Sequence, residues 1–422
     1  MNQKVFNTLT SCADPESPET LSVTEARERI LKCISPIEAT ERLAIRDGLG
    51  RVLGEDIVSP MDVPGHTNSA MDGFALSAAD LPEDYVNLKV IGTIYAGDSF
   101  QGVCRSGECV RIMTGAPMPA GTDTVIMQEQ TMAVESDHIR IGNGHRAGQN
   151  VRQAGEDIAK GSVVLEAGRR LLPADLGILA SLGFGEINVR QRPKVAFFST
   201  GDELRSVGEP LLPGELYDSN RYTLYGMLIR AGVEILDLGV IKDDPDALRQ
   251  AFTQAASVSD VVLSSGGVSV GEADYTKSIL QSLGKMQFWK IAMKPGRPLT
   301  FGHLHDALFF GLPGNPVAVM VTFYQFVLPA LHVLSTGKRY EPFTLRARSE
   351  NIIRKRSGRF EFVRGTMQQT PDGDYSVVSL GRQGSGILTS MSHGNCFILL
   401  EASCDGVEPG EYVTIQPFIS LV

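Results

Sequence analysis

Ser264-Ser265-Gly266-Gly267-Val268-Ser269-Val270-Gly271-Glu272-Ala273-Asp274-Tyr275 follows the apolar run Val261-Val262-Leu263 and precedes residues 277–283. The apolar run reads as a buried strand and 277–283 as a helix. A strand feeding a glycine- and serine-rich turn and then a helix is how proteins cradle phosphate. Backbone N–H groups converge in the turn, and the helix N-terminus favours negative charge. Glu272 and Asp274 lie in the same loop, and carboxylates repel a bare phosphate. The stretch therefore implies a divalent cation between protein and ligand.

The alternation continues on both sides. Residues 195–199 read as a continuous buried strand, and Asp218-Ser219-Asn220 can cap a helix over 221–231 that Gly232 ends. A strand over 233–239, a helix opened by Asp243-Asp244-Pro245, a strand over 260–265, strands over 288–293 and 308–311, and a long apolar helix over 316–334 follow. Strands alternating with helices predict a parallel sheet covered on both faces. Upstream, 22–34 predicts a helix capped by Ser22, with Val23, Ala26, Ile30 and Leu31 on one face. Residues 173–182 predict a short helix opened by Pro173. Between 60 and 161 glycine and proline are frequent, and short runs at 90–92, 109–112 and 124–127 suggest a small β domain. After about 340 the helical periods vanish. Runs at 344–347, 360–363, 376–378, 396–400 and 412–415 predict a small barrel or sandwich. Residues 1–21, rich in Pro, Ser, Thr and Glu, read as a flexible tail.

With 422 residues the chain needs more than one core. Its 42% hydrophobic and 21% charged residues are those of a globular protein. The net charge of -10 argues against a broad basic face for nucleic acid, and it requires any oxyanion site to gather its own cations. No run reads as long and charge-free enough to cross a bilayer, and the N-terminus lacks the order of a secretion signal. The six cysteines lack paired metal-ligand spacing and read as reduced cytosolic thiols. The seven histidines form no triad, and His303-Leu304-His305 reads as a surface hairpin connection.

In open α/β sheets ligands bind beyond the carboxyl ends of the strands. Five polar clusters fall there: Thr200-Gly201-Asp202-Glu203, Asp243, the opening loop, Lys294-Pro295-Gly296-Arg297-Pro298 and Leu312-Pro313-Gly314-Asn315-Pro316. Their coincidence favours a single cleft. Each also has a simpler reading. Gly201 and Gly314 suit tight turns, Asp243 or Asp244 a helix cap, and Lys294 with Arg297 a solvated pair. Pro295 and Pro298 nonetheless stiffen the loop that presents those two cations. Glu203, Asp243 and Asp274 together offer the carboxylates that Mg²⁺ takes. Outside this domain, 68–75 and 152–158 are glycine turns carrying acids, which read as structural loops.

The segments 68–75, 111–117, 155–157, 199–204, 264–277, 294–298 and 311–316, in this order, resemble the molybdopterin molybdenumtransferase family (MoeA and the gephyrin E domain). The resemblance runs from about residue 22 to the C-terminus. It implies a multidomain α/β plus β fold. The parts would be an elongated linker and dimerisation domain (22–59 and 158–192), a β domain (60–157), a three-layer molybdopterin-binding α/β domain (193–340) and a C-terminal β-barrel (341–422). The implied activity converts adenylylated molybdopterin and molybdate to molybdenum cofactor, with release of AMP and help from Mg²⁺. The implied enzyme is a cytoplasmic homodimer, working with molybdopterin adenylyltransferase and other cofactor-biosynthesis proteins, without nucleic acid or membrane.

Carried over residue by residue, the resemblance gives Glu203, Asp243 and Asp274 to Mg²⁺ and the adenylate phosphates. Gly266, Gly267 and Ser269 would hold phosphate, and Lys294 and Arg297 would attract molybdate, with Arg364 and Ser385 as further candidates. Pro313, Asn315 and Pro316 would shape the pocket wall. Asp72, Thr114 and Asp157 would face the cleft from the partner subunit. Arg297 stands where many members have Lys, which keeps the charge, and Ala318 stands where many have Ser, which removes a hydroxyl. A molybdopterin adenylyltransferase, a nucleotide pyrophosphatase and a non-enzymatic pterin carrier or scaffold are the competing readings.

Overall fold

The computed structural model describes residues 20–135, 137–266 and 274–421, with Glu135, Asp274, Tyr275, Phe288 and Ser420 described in their backbone alone. The chain divides into two compact units. One contains Gly50–Val52 and everything from Arg190 on, with the described part of 1–41; the other contains Arg42–Leu49 and Leu53–Val189.

The first unit is built on a seven-stranded sheet. Its strands lie in the order Thr20–Leu21, Gly284–Ile291, Pro298–Leu304, Ala307–Leu312, Val261–Ser265, Lys194–Thr200 and Glu234–Ile241. Side chains alternate between the faces, as the two-residue period of a strand requires. Val195, Phe197, Val261, Leu263 and Phe310 pack against Leu224, Met227 and Leu228 of helix Ser219–Ala231 and against helix Pro316–Thr336. Ala196, Phe198, Val262 and Phe309 face the other way, onto helices Pro245–Val258 and Asp274–Leu283. The result is a three-layer α/β domain.

The sheet is mixed rather than parallel. Pro298–Leu304 runs antiparallel to both neighbours and turns into Ala307–Leu312 through His305-Asp306. His305 takes φ 53°, which lets the chain reverse within two residues. Of the expected surface histidines, His305 is exposed, but His303 is half-buried in the strand and burial pushes its imidazole below the usual value. Thr20–Leu21 also departs from the expected tail. It pairs in parallel with Lys290 and Ile291, and Leu21 is buried. Helix Val23–Leu31 forms with Ser22 as its cap, Ser22 and Glu25 each bonding the other's backbone N–H. Its Val23, Ala26 and Ile30 join the core of this first unit.

The apolar helix runs from Pro316 to Thr336 through a wider turn at Phe323–Val327. Pro329 supplies no N–H for the carbonyl of Gln325. Arg27 satisfies that carbonyl instead through Nε (3.1 Å), while its NH2 reaches Gln325 Oε1 (2.7 Å). This helix corrects one expectation, since it is long and apolar enough to cross a membrane. Its most apolar window is 83% buried inside the protein, as a core helix is.

The same unit ends in a closed five-stranded barrel. Phe360–Gln369 pairs with both Tyr375–Ser379 and Cys396–Leu400, and Leu345–Ser349 and Tyr412–Pro417 complete the ring. Met293–Lys294 adds to Phe360-Glu361 in parallel.

In the second unit a six-stranded sheet runs Thr124–Met127, Gly73–Leu76, Glu108–Ile112, Tyr85–Ile94, His138–Gly142, Thr131–Glu135. Ala75, Val110 and Val125 form a core on one face, and Leu76, Cys109 and Ile126 on the other. A separate core joins Leu53 and Ile57 to Ile158, Leu165, Leu179 and Val189, around helix Pro173–Ser181.

Candidate active site

A cleft of about 290 Å³ opens where the sheet strands of the first unit end. Thr200 and Ser265 close two adjacent parallel strands and Gly266 follows Ser265, while Gly314 lies in the turn after the next strand, Ala307–Leu312, and Pro316 opens the apolar helix. Asp218, Ser219 and Asn220 bring in the N-terminus of one helix, Asp243 approaches that of a second, and Thr276 lies in the first turn of a third. Several helix N-termini on one cleft favour negative charge by their dipoles and free N–H groups.

Close backbone approach shapes the floor. Gly266 has φ 90°, and a Cβ there would lie 2.5 Å from the carbonyl oxygen of Thr200. Gly201, at φ 146°, leaves room for the Glu203 carboxylate, whose Oε2 would be 2.6 Å from an added Cβ. Asn220 ties the strand ends together, its Nδ2 donating to Ser265 Oγ (3.0 Å) and to the carbonyl of Gly314 (2.7 Å). Asp218 caps its helix by accepting the N–H of Arg221 at Oδ1 (3.0 Å). Three buried oxygens of the lining have no partner among the described residues: Thr200 Oγ1, Asp218 Oδ2 and Asn220 Oδ1. An unsatisfied buried polar atom costs about 1–3 kcal/mol, so each of the three calls for a partner that the described residues do not supply. Asp244, not Asp243, is the cap of helix Pro245–Val258, accepting from Asp246 and Ala247.

Lys294 and Arg297 follow the strand Gly284–Ile291 on a loop that Gly296 presses against the apolar helix. A Cβ at 296 would lie 2.8 Å from Thr322 Oγ1. Lys294 Nζ pairs with Glu361 Oε2 at 3.3 Å, and its side chain is half-exposed. Arg297 is exposed, with no side-chain partner among the described residues. Arg364 is 1% exposed. Its guanidinium donates to Ser390 Oγ (3.1 Å) and to the carbonyls of Gly384 (3.1 Å) and Phe362 (3.4 Å). Burial without a carboxylate lowers it to about 10. Arg364 thereby holds the backbone beside Ser385, whose carbonyl accepts the N–H of Val317 (3.0 Å), next to the 313–316 turn.

The acids expected from the other unit are built separately. Asp72 Oδ1 accepts both the backbone N–H and the hydroxyl of Thr114, each at 2.7 Å. The N–H and then the hydroxyl hold its carboxyl below the ordinary aspartate value. The next residue, Gly73, lets its strand lie close against Thr124–Met127, because a Cβ there would lie 2.0 Å from the carbonyl oxygen of Ile126. Asp157 is exposed, and its N–H bonds the Val63 carbonyl (3.1 Å).

Three family models match this chain. They are the MoeA N-terminal region (domain I and II) over 21–183, the "Probable molybdopterin binding domain" over 196–333, and the MoeA C-terminal region (domain IV) over 346–418. A molybdopterin molybdenumtransferase of Haemophilus influenzae is 44% identical over 403 residues, covering 95% of this chain and 100% of that protein. The chain belongs to the molybdopterin molybdenumtransferase family. A Bacillus subtilis member is 35% identical over 89% of each chain. The solved MoeA structure from Pyrococcus horikoshii OT3 superposes with a TM-score of 0.83 at 30% identity, over 95% of this chain and 100% of that one. Membership makes the chain a transferase of molybdenum cofactor biosynthesis.

Of the residues expected to serve a molybdopterin molybdenumtransferase, the cleft gathers Glu203, Asp243, Gly266 and Pro316. Lys294, Arg297, Pro313, Asn315, Arg364 and Ser385 lie in the same unit outside its lining. Gly267, Ser269 and the side chain of Asp274 lie outside the described residues. Asp72, Thr114 and Asp157 belong to the other unit. No cluster of three or more His, Cys, Asp or Glu suited to a metal occurs among the described residues. Glu203 and Asp243 nevertheless put two exposed hard-oxygen donors on the cleft, which fits Mg²⁺, an ion that takes one or two carboxylates beside phosphate and water. Sequence reasoning took Asp218 and Asn220 for cap residues. That Asp218 Oδ2 and Asn220 Oδ1 are buried and unpaired among the described residues is visible only in the structure.

Proposed function

We propose that this chain inserts molybdate into adenylylated molybdopterin, releasing AMP and forming molybdenum cofactor. The observation that carries the reading is the cleft at the carboxyl ends of the sheet strands. It combines helix N-termini, a glycine floor and two carboxylates in a chain of this family. Gly266 admits the phosphate chain to the backbone, continued by Gly267 and Ser269. Glu203, Asp243 and Asp274 would hold Mg²⁺, which would neutralise phosphate charge when bound. Lys294 attracts molybdate as a point charge and Arg297 as a planar fork. Arg364 acts through the loop that it bonds, fixing Ser385 and the wall formed by Pro313, Asn315 and Pro316. Water, losing a proton, or a molybdate oxygen, giving up its bond to molybdenum, attacks the adenylate phosphorus; the P–O bond to the pterin phosphate breaks, and the attacking oxygen leaves within AMP.

The active enzyme in this reading is a cytoplasmic homodimer that takes its substrate from an adenylyltransferase. Asp72, Thr114 and Asp157 serve the cleft of the partner subunit. Mixing a cleft-defective variant (Asp243→Asn) with an Asp72→Asn variant tests the sharing, because subunit exchange restores some intact sites. The reaction is tested by supplying adenylylated molybdopterin and Mg²⁺ and titrating molybdate. Molybdate-dependent release of AMP together with cofactor is expected, and the absence of both would remove the proposal.

A further inference from the structure

We infer that Asp218 and Asn220, with Thr200, read the 2-amino-4-oxo pyrimidine edge of the pterin. This deepens the proposed reaction and rests on its placing a pterin in this cleft. Asp218 lines the cleft and is 3% exposed. Its Oδ1 is engaged by the Arg221 N–H, which fixes the carboxylate before any ligand arrives. Its Oδ2 is buried and unpartnered among the described residues. The amide orientation of Asn220 follows from its network. Nδ2 donates to Ser265 Oγ and to the Gly314 carbonyl, so Oδ1 is the atom that remains. The lining thus offers two fixed acceptors and one hydroxyl, Thr200 Oγ1, able to donate or accept.

A pterin presents an N3–H and a 2-amino group beside a 4-oxo oxygen. The N–H donors meet Asp218 and Asn220, and the 4-oxo oxygen accepts from the Thr200 hydroxyl. An adenine edge carries an amino group but no ring N–H, so it brings one donor group to the two fixed acceptors where a pterin brings two. A ribose diol also carries paired donors and is the nearest competitor. A divalent cation has Glu203 and Asp243, both exposed, as better ligands than a carboxylate committed to a cap.

The test uses the full chain and four probes: pterin, lumazine (its analogue with oxo in place of 2-amino), AMP and Mg²⁺. Binding is measured by titration for the wild type, Asp218→Asn and Asp218→Ser. Asn and Ser both cap helices, so the fold is preserved, and thermal melting verifies this for each. The expected result is that the wild type prefers pterin to lumazine. Both variants should weaken pterin by roughly 10- to 100-fold, erase the preference, and leave AMP and Mg²⁺ unchanged. Weakened AMP with unchanged pterin would overturn the inference in favour of the ribose, and lost Mg²⁺ binding in favour of a cation. Unchanged binding of all four probes would reduce Asp218 to a cap. A wild type that discriminates pterin yet releases no AMP with molybdate would keep this inference and remove the proposed reaction.

Discussion

Replacing Gly266 with alanine tests the floor of the cleft most directly. The added Cβ would stand 2.5 Å from the Thr200 carbonyl oxygen, whereas ordinary contact begins at 3.4 Å. Thr200 cannot retreat alone, because its strand is paired on both sides, with Val261–Ser265 and with Glu234–Ile241. The left-handed backbone at 266 adds about 1–2 kcal/mol for a residue with a side chain. Forced displacement of packed atoms adds about 1–3 kcal/mol. The sum is a loss of roughly 2–5 kcal/mol, with weaker ligand binding as the strand ends part. Urea unfolding measures it, read through the single tryptophan, Trp289, which is buried in the same unit. Gly314→Ala is the control. It borders the same cleft, has no positive φ, and a Cβ there meets nothing within 4 Å. Its change should stay within about 0.5 kcal/mol. Equal effects at the two glycines, or a change at 266 under about 0.5 kcal/mol, would refute the steric argument.

Arg27→Leu should destabilise by about 1–3 kcal/mol, since it strips the Gln325 backbone carbonyl and side-chain Oε1 of their donor; chemical denaturation checks it. Ser22→Ala breaks the reciprocal cap with Glu25 and should cost about 1 kcal/mol in the same assay. Because the folded Asp72 carboxyl is depressed, its bonds to Thr114 are present above the ordinary aspartate value and are lost as pH falls through the folded value. Carboxyl NMR titration should find a midpoint below that of a free aspartate, and Thr114→Val, which removes the hydroxyl alone, should move it part of the way back. Arg364→Lys loses the fork that holds Ser390, Gly384 and Phe362 and should loosen the loop beside Ser385. Hydrogen exchange at 383–386 should rise with little change in the opposite face of the barrel.

The fold was legible wherever one residue type dominates a local choice. Ser22, Pro173, Asp218 and Gly232 all mark helix ends where the structure has them. The buried strands were legible because both faces are covered, which leaves unbroken runs such as 195–199. The antiparallel strand Pro298–Leu304 was not. Its Pro at the start and Gly302 inside obscure the run, and direction depends on partners far away in sequence. Thr20–Leu21 is too short to carry any period, and a neighbouring strand creates it. Glu203, Asp243 and Gly266 stood out in the sequence because their residue types suit phosphate and metal, and the structure places all three on the cleft. The roles of Arg364 and Asp218 depend on burial and on which atoms are already bonded, and neither quantity exists in a sequence.

That two-residue strand bears on what the margin of the sheet exposes to other chains. Thr20 and Leu21 cover the end of the outer margin of Gly284–Ile291, pairing with Lys290 and Ile291, with the Ala292 N–H reaching the Leu21 carbonyl at 2.7 Å. An uncovered sheet margin is a template on which another chain can add a strand. A chain shortened past Leu21 would leave Lys290 and Ile291 open to that addition. Its first symptom should be concentration-dependent aggregation during refolding, before any loss of chemistry in the cleft.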